Sequence, residues 1–327
     1  MIVKKFNNIK KLEEDWKNLQ KNNDKLDPMC EFAFVEKFKS GITNKIKNFV
    51  KKKSAPIYYE VLDENEPVLI LPAEEISGNI ESLYTLDFFD VVSAKDITGE
   101  KMLEALKEIA NLEKKPVVIK RFRENFNTHS KLAELVEFEP YNNCVKIDYT
   151  EDYDKYYSSL SKHARQNLRT AYNRLATDGK EISFSFTFGK TNKKLAGKLK
   201  NIYLNRRASK YSNMNFLKKL VYKIDEPISN VCFGLDNSFS SVVSIDGKPV
   251  AFMAGIVSNG EALVPRLAID DKFARYSTGV ILVNETIKEL ISHKIYCLNL
   301  ATGTETYKTQ MGGTEYSVLK LTIKNDN

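Results

Sequence analysis

Two tight-turn dipeptides, Asp246-Gly247 and Asn259-Gly260, separate three apolar runs at 241–245, 250–257 and 262–269, and they limit the fold more than any other feature. Asp-Gly and Asn-Gly supply the positive φ that short hairpin turns need, so the runs predict three consecutive antiparallel strands. The chain then passes through Ala274-Arg275-Tyr276-Ser277-Thr278-Gly279 into the apolar-periodic residues 280–291, which predicts a strand, a short loop and a helix. The first amides of such a helix lack intrahelical partners. With the helix dipole they suit a phosphate or pyrophosphate, with Gly279 allowing close backbone approach and Arg275 beside it.

A strand at 295–300, a short helix at 304–311 and a strand at 316–323 complete this half. Two helices precede it. Leu160, Ala164, Leu168, Ala171 and Leu175 form one apolar stripe, stopped by Asp178-Gly179, and Leu195, Leu199, Ile202 and Tyr203 form another. The first half follows the same plan. Ile9, Leu12, Trp16 and Leu19 recur at helical spacing, and a short helix follows at 32–38. Strands at 57–62 and 67–71 flank the turn Asp63-Glu64-Asn65-Glu66, and a third runs near 83–89. A helix on Met102, Leu106, Ile109 and Ala110, a strand at 117–120, a helix at 132–136 and a strand at 144–147 come next.

This repeated order predicts a mixed α/β (α+β) chain of two related domains, 1–150 and 151–327, each a central mixed sheet flanked by helices. A chain of 327 residues with 42% hydrophobic residues can bury two cores. The first-half counterpart of the Arg275 loop, Asp90 to Gly99, has no Arg ahead of its glycine. Only the second domain is therefore expected to hold an anionic cofactor.

The formal charge of +7 favours anionic partners, although much of the excess lies in Lys-rich helices and in Lys51-Lys52-Lys53. Cys30, Cys144, Cys232 and Cys297 are far apart in apolar or mixed segments, which reads as buried thiols rather than a disulfide frame or zinc site, and no metal is expected. No apolar signal core or membrane-length run is present, so the expected setting is cytoplasmic. His129, His163 and His293 fall on expected helices with no nucleophile elbow nearby, which argues against a Ser/His/Asp triad.

Three other groups could carry chemistry. Lys162, Arg165, Arg169 and Asn173 lie opposite the apolar stripe of their helix; such a stripe is either solvated surface or, through Arg165 and Arg169 one turn apart, a forked cradle for an anionic substrate. Pro265, followed by Arg266, interrupts a strand and must sit at an edge or a break in pairing because it has no N–H. A break there would free backbone for an extended ligand. Gly303-Thr304-Glu305-Thr306-Tyr307-Lys308 follows a strand end, where α/β sheets place site residues. It reads either as a surface turn or as a site in which Tyr307 protonates a leaving thiolate and Lys308 or Glu305 pairs with substrate charge.

The segments 160–169, 245–251, 274–282 and 305–308 together resemble the CelD-type branch of the GNAT N-acyltransferases, with weaker similarity at 67–72 and at Asp87-Phe88-Phe89-Asp90. The resemblance implies a tandem GNAT-like fold and an acyl-CoA donor, acetyl-CoA or longer. Its pyrophosphate would lie at Arg275, Tyr276, Ser277, Thr278 and Gly279, and its pantetheine would run along the strand containing Val264, Arg266, Leu267 and Ala268. Tyr307 approximately matches the position of the acid in many GNAT enzymes, while Asp90 and Asn299 join Arg165 and Arg169 as substrate-binding candidates. Thr278 stands where the branch often has Pro, and Asn299 where it often has Asp. The implied reaction moves an acyl group to an amine, of an amino sugar or nucleotide sugar in surface-polysaccharide assembly. Two alternatives are a FemAB-like transferase using aminoacyl-tRNA on a peptidoglycan precursor, suggested by the positive charge, and a catalytically degenerate scaffold, suggested by Asn299.

Overall fold

The computed structural model describes residues 1–21, 23–39, 55–83, 87–210 and 227–326; the Lys51–Lys53 run and the middle of the strand expected at 83–89 lie outside them. The chain forms two compact units, Met1–Asn142 with Ser317–Asn327, and Asn143–Tyr316.

The first unit runs β1 (Ile2–Phe6), α1 (Glu13–Lys21), α2 (Phe32–Lys39), β2 (Ile57–Asp63), β3 (Glu66–Ile76), β4 (Asn79–Ser82), β5 (Val92–Ser93), α3 (Gly99–Glu113), β6 (Val117–Phe122) and α4 (Asn127–Leu132). Its sheet has the order β1-β2-β3-β4-β6, antiparallel except for the β4–β6 pair, with β5 also paired to β3. The chain's last strand pairs along β6, Ile323 opposite Val117 and Leu319 opposite Phe122. Trp16 is fully buried beside Phe32 and Tyr58, and its indole N–H donates to the Cys30 carbonyl at 3.0 Å. Burial of such rings supplies the apolar area that holds the helices to the sheet.

The second unit begins within β7 (Glu139–Asp148) and continues with α5 (Tyr153–Ser159), α6 (Lys162–Thr177), β8 (Ile182–Phe188), α7 (Lys193–Lys210), α8 (Pro227–Cys232), β9 (Ser238–Ile245), β10 (Lys248–Ser258), β11 (Glu261–Ile269), a 3-10 turn (Asp271–Tyr276), α9 (Thr278–Ser292), β12 (Cys297–Thr302), α10 (Thr306–Gln310) and the start of β13 (Thr314–Ile323). Its sheet order is β7-β12-β11-β10-β9-β8. The hairpins β9–β10 and β10–β11 turn at Asp246-Gly247 and Asn259-Gly260, and all four turn residues have positive φ, as the dipeptides require. The stripe Leu160, Ala164, Leu168, Ala171 and Leu175 packs with Ile281, Leu282, Ile287 and Leu290 of α9 in one core. Helix α7 packs against β10 and β11.

Several expectations shift. The sequence suggested an uncut domain 151–327, but residues 317–327 belong to the first unit, where their strand pairs along the full length of β6. The helix expected at 132–136 forms at Asn127–Leu132, and the third strand of the first half is β4, at 79–82. Strand β8 and the N-terminal β1 were not anticipated.

Candidate functional site

The second unit is organised around a strand pair that comes apart. β11 and β12 run parallel and pair over Glu261–Cys297, Ala262–Leu298 and Leu263–Asn299. Beyond Leu263, β11 stays with β10 while β12 follows β7, reaching Thr302 opposite Cys144. The cause is a bulge. The β10–β11 register jumps between Ala254 and Ile256, so that Val264 and Pro265 both face Gly255. A Cβ at Gly255 would lie 1.7 Å from the Leu263 oxygen, so only glycine permits this approach. Pro265 sits in the bulge, where its missing N–H costs no ladder bond. The result is a wedge between the ends of two strands, of the kind expected from Pro265.

At the open end of the wedge, β11 passes into the 3-10 turn and α9. The turn is tied to the end of α6: Asp178 accepts from the Tyr276 hydroxyl at 2.6 Å and pairs with Arg275 at 2.8 Å, and Arg174 donates to the Arg275 carbonyl at 2.9 Å. Ser277 takes φ +48 and leads into the helix without a side-chain cap. Its carbonyl receives the Val280 and Ile281 amides. The Thr278 and Gly279 amides have no partner among the described residues, and the Thr278 hydroxyl is fully buried and equally unpartnered. The buried, unpartnered Thr278 hydroxyl is a standing cost of about 1–3 kcal/mol, removed by an oxygen-rich ligand placed there, and the two amides beside it are the donors that a helix start leaves open. Gly279 has a packing reason as well, since a Cβ would meet the Ile269 side chain at 2.6 Å.

On the other side of the wedge, β12 ends at Thr302 and the chain turns through Gly303, at φ +105, into α10. Lys308 is buried, and its ammonium donates to the carbonyls of Leu300, Thr302 and Gly303 at 2.9–3.1 Å while pairing with Glu305 at 3.0 Å. All its hydrogens are thereby used, so it is not available to pair with substrate charge as the sequence suggested. Tyr307 packs against the core, and burial, reinforced by the Glu305 charge, pushes its phenol well above the ordinary value. It stays protonated at any physiological pH, as a proton donor to a thiolate must.

The remaining candidates fall elsewhere. Arg165 donates to the Ser158 and Leu160 carbonyls at 2.7 and 2.6 Å, capping α5, while among the described residues Arg169 reaches only Gln166. The expected cradle therefore loses one arm to local structure. Asn299 is buried with its amide donating to Glu261 and to the Tyr316 hydroxyl, both at 2.7 Å, and its oxygen accepting from the Ala301 amide. It holds the irregular strand end instead of facing a substrate. Val264 and Leu267 turn their side chains into the core, leaving their backbone as the contribution to the wedge, and Ala268 is buried too. Arg266 lies over the Tyr203 ring at 5.1 Å.

Asp90 belongs to the interior of the first unit. Its carboxylate accepts from the Val91, Thr128 and Asp27 amides and from the Thr128 hydroxyl, and burial raises it to about 7 despite those bonds. It is a locking residue rather than a substrate ligand. Here too a parallel pair, β4 with β6, is short: Ile80–Val117 and Glu81–Val118. The space beyond it is occupied by the chain itself. The Phe89 amide donates to the Arg121 carbonyl at 3.0 Å, and Val92 and Ser93 pair with Ile70 and Leu69 of β3.

Residues 162–309 match the family model of the acetyltransferase (GNAT) domain, a span inside the second unit. Among solved structures, a tandem GNAT protein from the clavulanic acid biosynthesis pathway covers 100% of both chains at 8% identity with a TM-score of 0.50. The fold is a tandem GNAT fold. FemX is similar at 9% identity over 98% of this chain and 97% of its own, with a TM-score of 0.56. The C-terminal (DUF2156) domain of a protein from Agrobacterium fabrum assigned as a lysylphosphatidylglycerol synthetase is similar at 11% identity over 97% and 92%, with a TM-score of 0.60. No curated protein matches the sequence. Among the described residues no helix is long and apolar enough to cross a membrane.

Proposed function

We propose that the second unit transfers an acyl group from acyl-CoA to an amine. The observation that carries this reading is the trio of orphaned donors, the Thr278 and Gly279 amides and the Thr278 hydroxyl, at the open end of a wedge between two strands. Thr278, Gly279 and Arg275 would hold the pyrophosphate. The β11 backbone from Val264 to Ala268 would bind the pantetheine as an added strand, and Tyr307 would protonate the departing thiolate. Only one such site is proposed per chain, since the corresponding space in the first unit holds residues 88–93.

For the acceptor, the amine of an amino sugar or nucleotide sugar in surface-polysaccharide assembly rests on the sequence resemblance alone, as does a cytoplasmic setting. The donor is testable directly. Titration with acetyl-CoA and longer acyl-CoAs should give micromolar binding that weakens about tenfold in Arg275→Ala, the loss of one charge-assisted contact. No binding or thermal shift across the panel would remove the proposal.

A second reading, an aminoacyl-tRNA donor, is favoured by one observation. Residues 160–210 hold thirteen Lys and Arg against two acidic residues, more than the excess of the whole chain. Affinity for tRNA that falls steeply with salt, together with inactivity on acyl-CoA, would favour it over the first.

A further inference from the structure

We infer that Glu305 is the general base of the proposed transfer and that buried Lys308 is the positioning residue that holds it, an assignment that rests on the acyltransferase reading above. Lys308 explains the local backbone. Its ammonium gathers three carbonyls at the end of β12, where Ala301 at φ +52 and Gly303 at φ +105 bend the chain away from strand geometry. A buried charge is tolerated only when paired and fully hydrogen-bonded, and here the carboxylate of Glu305 completes the shell at 3.0 Å. The two partners differ in exposure: the Lys308 side chain is 4% exposed and that of Glu305 is 53% exposed. One end of the pair is therefore anchored in protein while the other faces solvent just beyond the end of β12. Gly303 makes room for it, since a Cβ there would lie 2.7 Å from the Glu305 oxygen.

Other groups nearby do not serve. Asn299 has no basic lone pair to offer and its amide is engaged, while Glu261 is tied to Asn299 on the paired side of β11 and β12. Glu305 also stands two residues from Tyr307, close enough that its charge helps to keep the phenol protonated.

The chemistry balances. A neutral amine nitrogen attacks the thioester carbonyl carbon and forms the C–N bond; the proton lost from that nitrogen goes to the Glu305 carboxylate. The C–S bond breaks, its electron pair leaves on sulfur, and the thiolate takes the Tyr307 proton. Amide and thiol are the products, and solvent returns the two side chains to their starting forms.

The test is a pH–rate series, from about pH 6.5 to 9.5, on the full chain with saturating acyl-CoA and glucosamine as the amine probe, comparing the unsubstituted protein, Glu305→Gln and Lys308→Met. Loss of a general base typically costs 10²–10⁴-fold, so Glu305→Gln should lower kcat about 100-fold near pH 7 with the donor Kd within about twofold. That deficit should shrink toward high pH, where solvent deprotonates the amine. Lys308→Met should show the same shrinking deficit in milder form. If it does not fold, Gly303→Ala, which displaces Glu305 while keeping the ammonium, replaces it with the same expectation. A deficit constant across pH, or none, in Glu305→Gln overturns the assignment of the base while leaving the transferase reading intact. Failure of the unsubstituted protein to bind donor overturns that reading itself.

Discussion

Gly255→Ala should damage both stability and the donor site, because Gly255 is where the wedge originates. An added Cβ would stand 1.7 Å from the Leu263 oxygen, whereas real Cβ atoms essentially never come within 3.0 Å, so β10 and β11 must part by about 1.3 Å. Both atoms are fixed to backbone, so no rotamer change relieves the clash. Overpacking of this kind costs about 1–3 kcal/mol when side chains can yield, and the rigid contact here places the expectation near 3 kcal/mol. For a unit the size of Asn143–Tyr316, that corresponds to a fall in Tm of roughly 6–12 °C. The displacement lands on Leu263, the last residue of β11 paired to β12, so the stretch of β11 from Val264 to Ala268 moves with it. A shift of about 1 Å in a positioned group can cost about 100-fold in rate. Calorimetry and acyl-CoA titration of the same preparation check both parts. Gly279→Ala is the control for stability alone: its Cβ would crowd only the end of the Ile269 side chain, which can rotate aside, so it should cost under about 1 kcal/mol. If Gly255→Ala melts within about 2 °C of the parent and binds donor equally well, the bulge does not open the wedge.

Titration of the intact chain with acyl-CoA should saturate at one equivalent, and two would show that residues 88–93 leave the first unit's space when donor is present. Stability should fall with rising pH between about 5 and 7. Asp90 binds its proton more tightly folded than unfolded, so its contribution is full below the ordinary value of 3.8 and is lost as pH rises through about 7, at up to roughly 1.4 kcal/mol per unit. Glu60, raised to about 7 by burial and its hydrogen bond with Asp15, acts in the same direction. Denaturant melts at pH 5.5 and 8 should therefore show a smaller pH effect in Asp90→Asn than in the parent, and an unchanged pH effect would mean that Asp90 titrates near its ordinary value in the folded chain.

Order of elements was legible in the sequence because its signals are local. Asp-Gly and Asn-Gly dictate hairpins whatever surrounds them, and Leu160 to Leu175 describe a helix face by spacing alone. Strand partners are not local. Nothing in Tyr316 to Ile323 distinguishes β6 as its partner, so the return of the C-terminal strand to the first unit was invisible. Strand β8 was legible in principle: Ile182, Phe184, Phe186 and Phe188 alternate with Ser and Thr at the period of two. For the proposed site, residue type and spacing singled out the loop at Arg275 to Gly279 and the strand end before Tyr307. They could not say where each hydrogen bond goes. Arg165 and Lys308 look like ligand-seeking cations in one dimension, and in three they are consumed by backbone carbonyls that lie five to eight positions away.

The contrast between the two units has a simple physical origin, and it lies in loop length. Each unit has a short parallel pair, followed by a linker and a helix that packs back on the sheet. In the second unit the linker is 270–277, just long enough to turn from β11 into α9; in the first it is 83–98, twice that length. Chain that cannot be solvated in place must satisfy its own amides and carbonyls. The extra residues do so by lying against the edges that the diverging strands expose, Phe89 on β6 and Val92 and Ser93 on β3. Asp90, sealed by Thr128 and the Val91 amide, fixes them there. An unsatisfied strand edge is thus filled from within in one unit, whereas in the other the linker is too short to reach back. The same arithmetic of backbone groups that makes residues 88–93 an insert leaves the second unit's wedge, with Thr278 and Gly279 at its open end, as the place proposed for the donor.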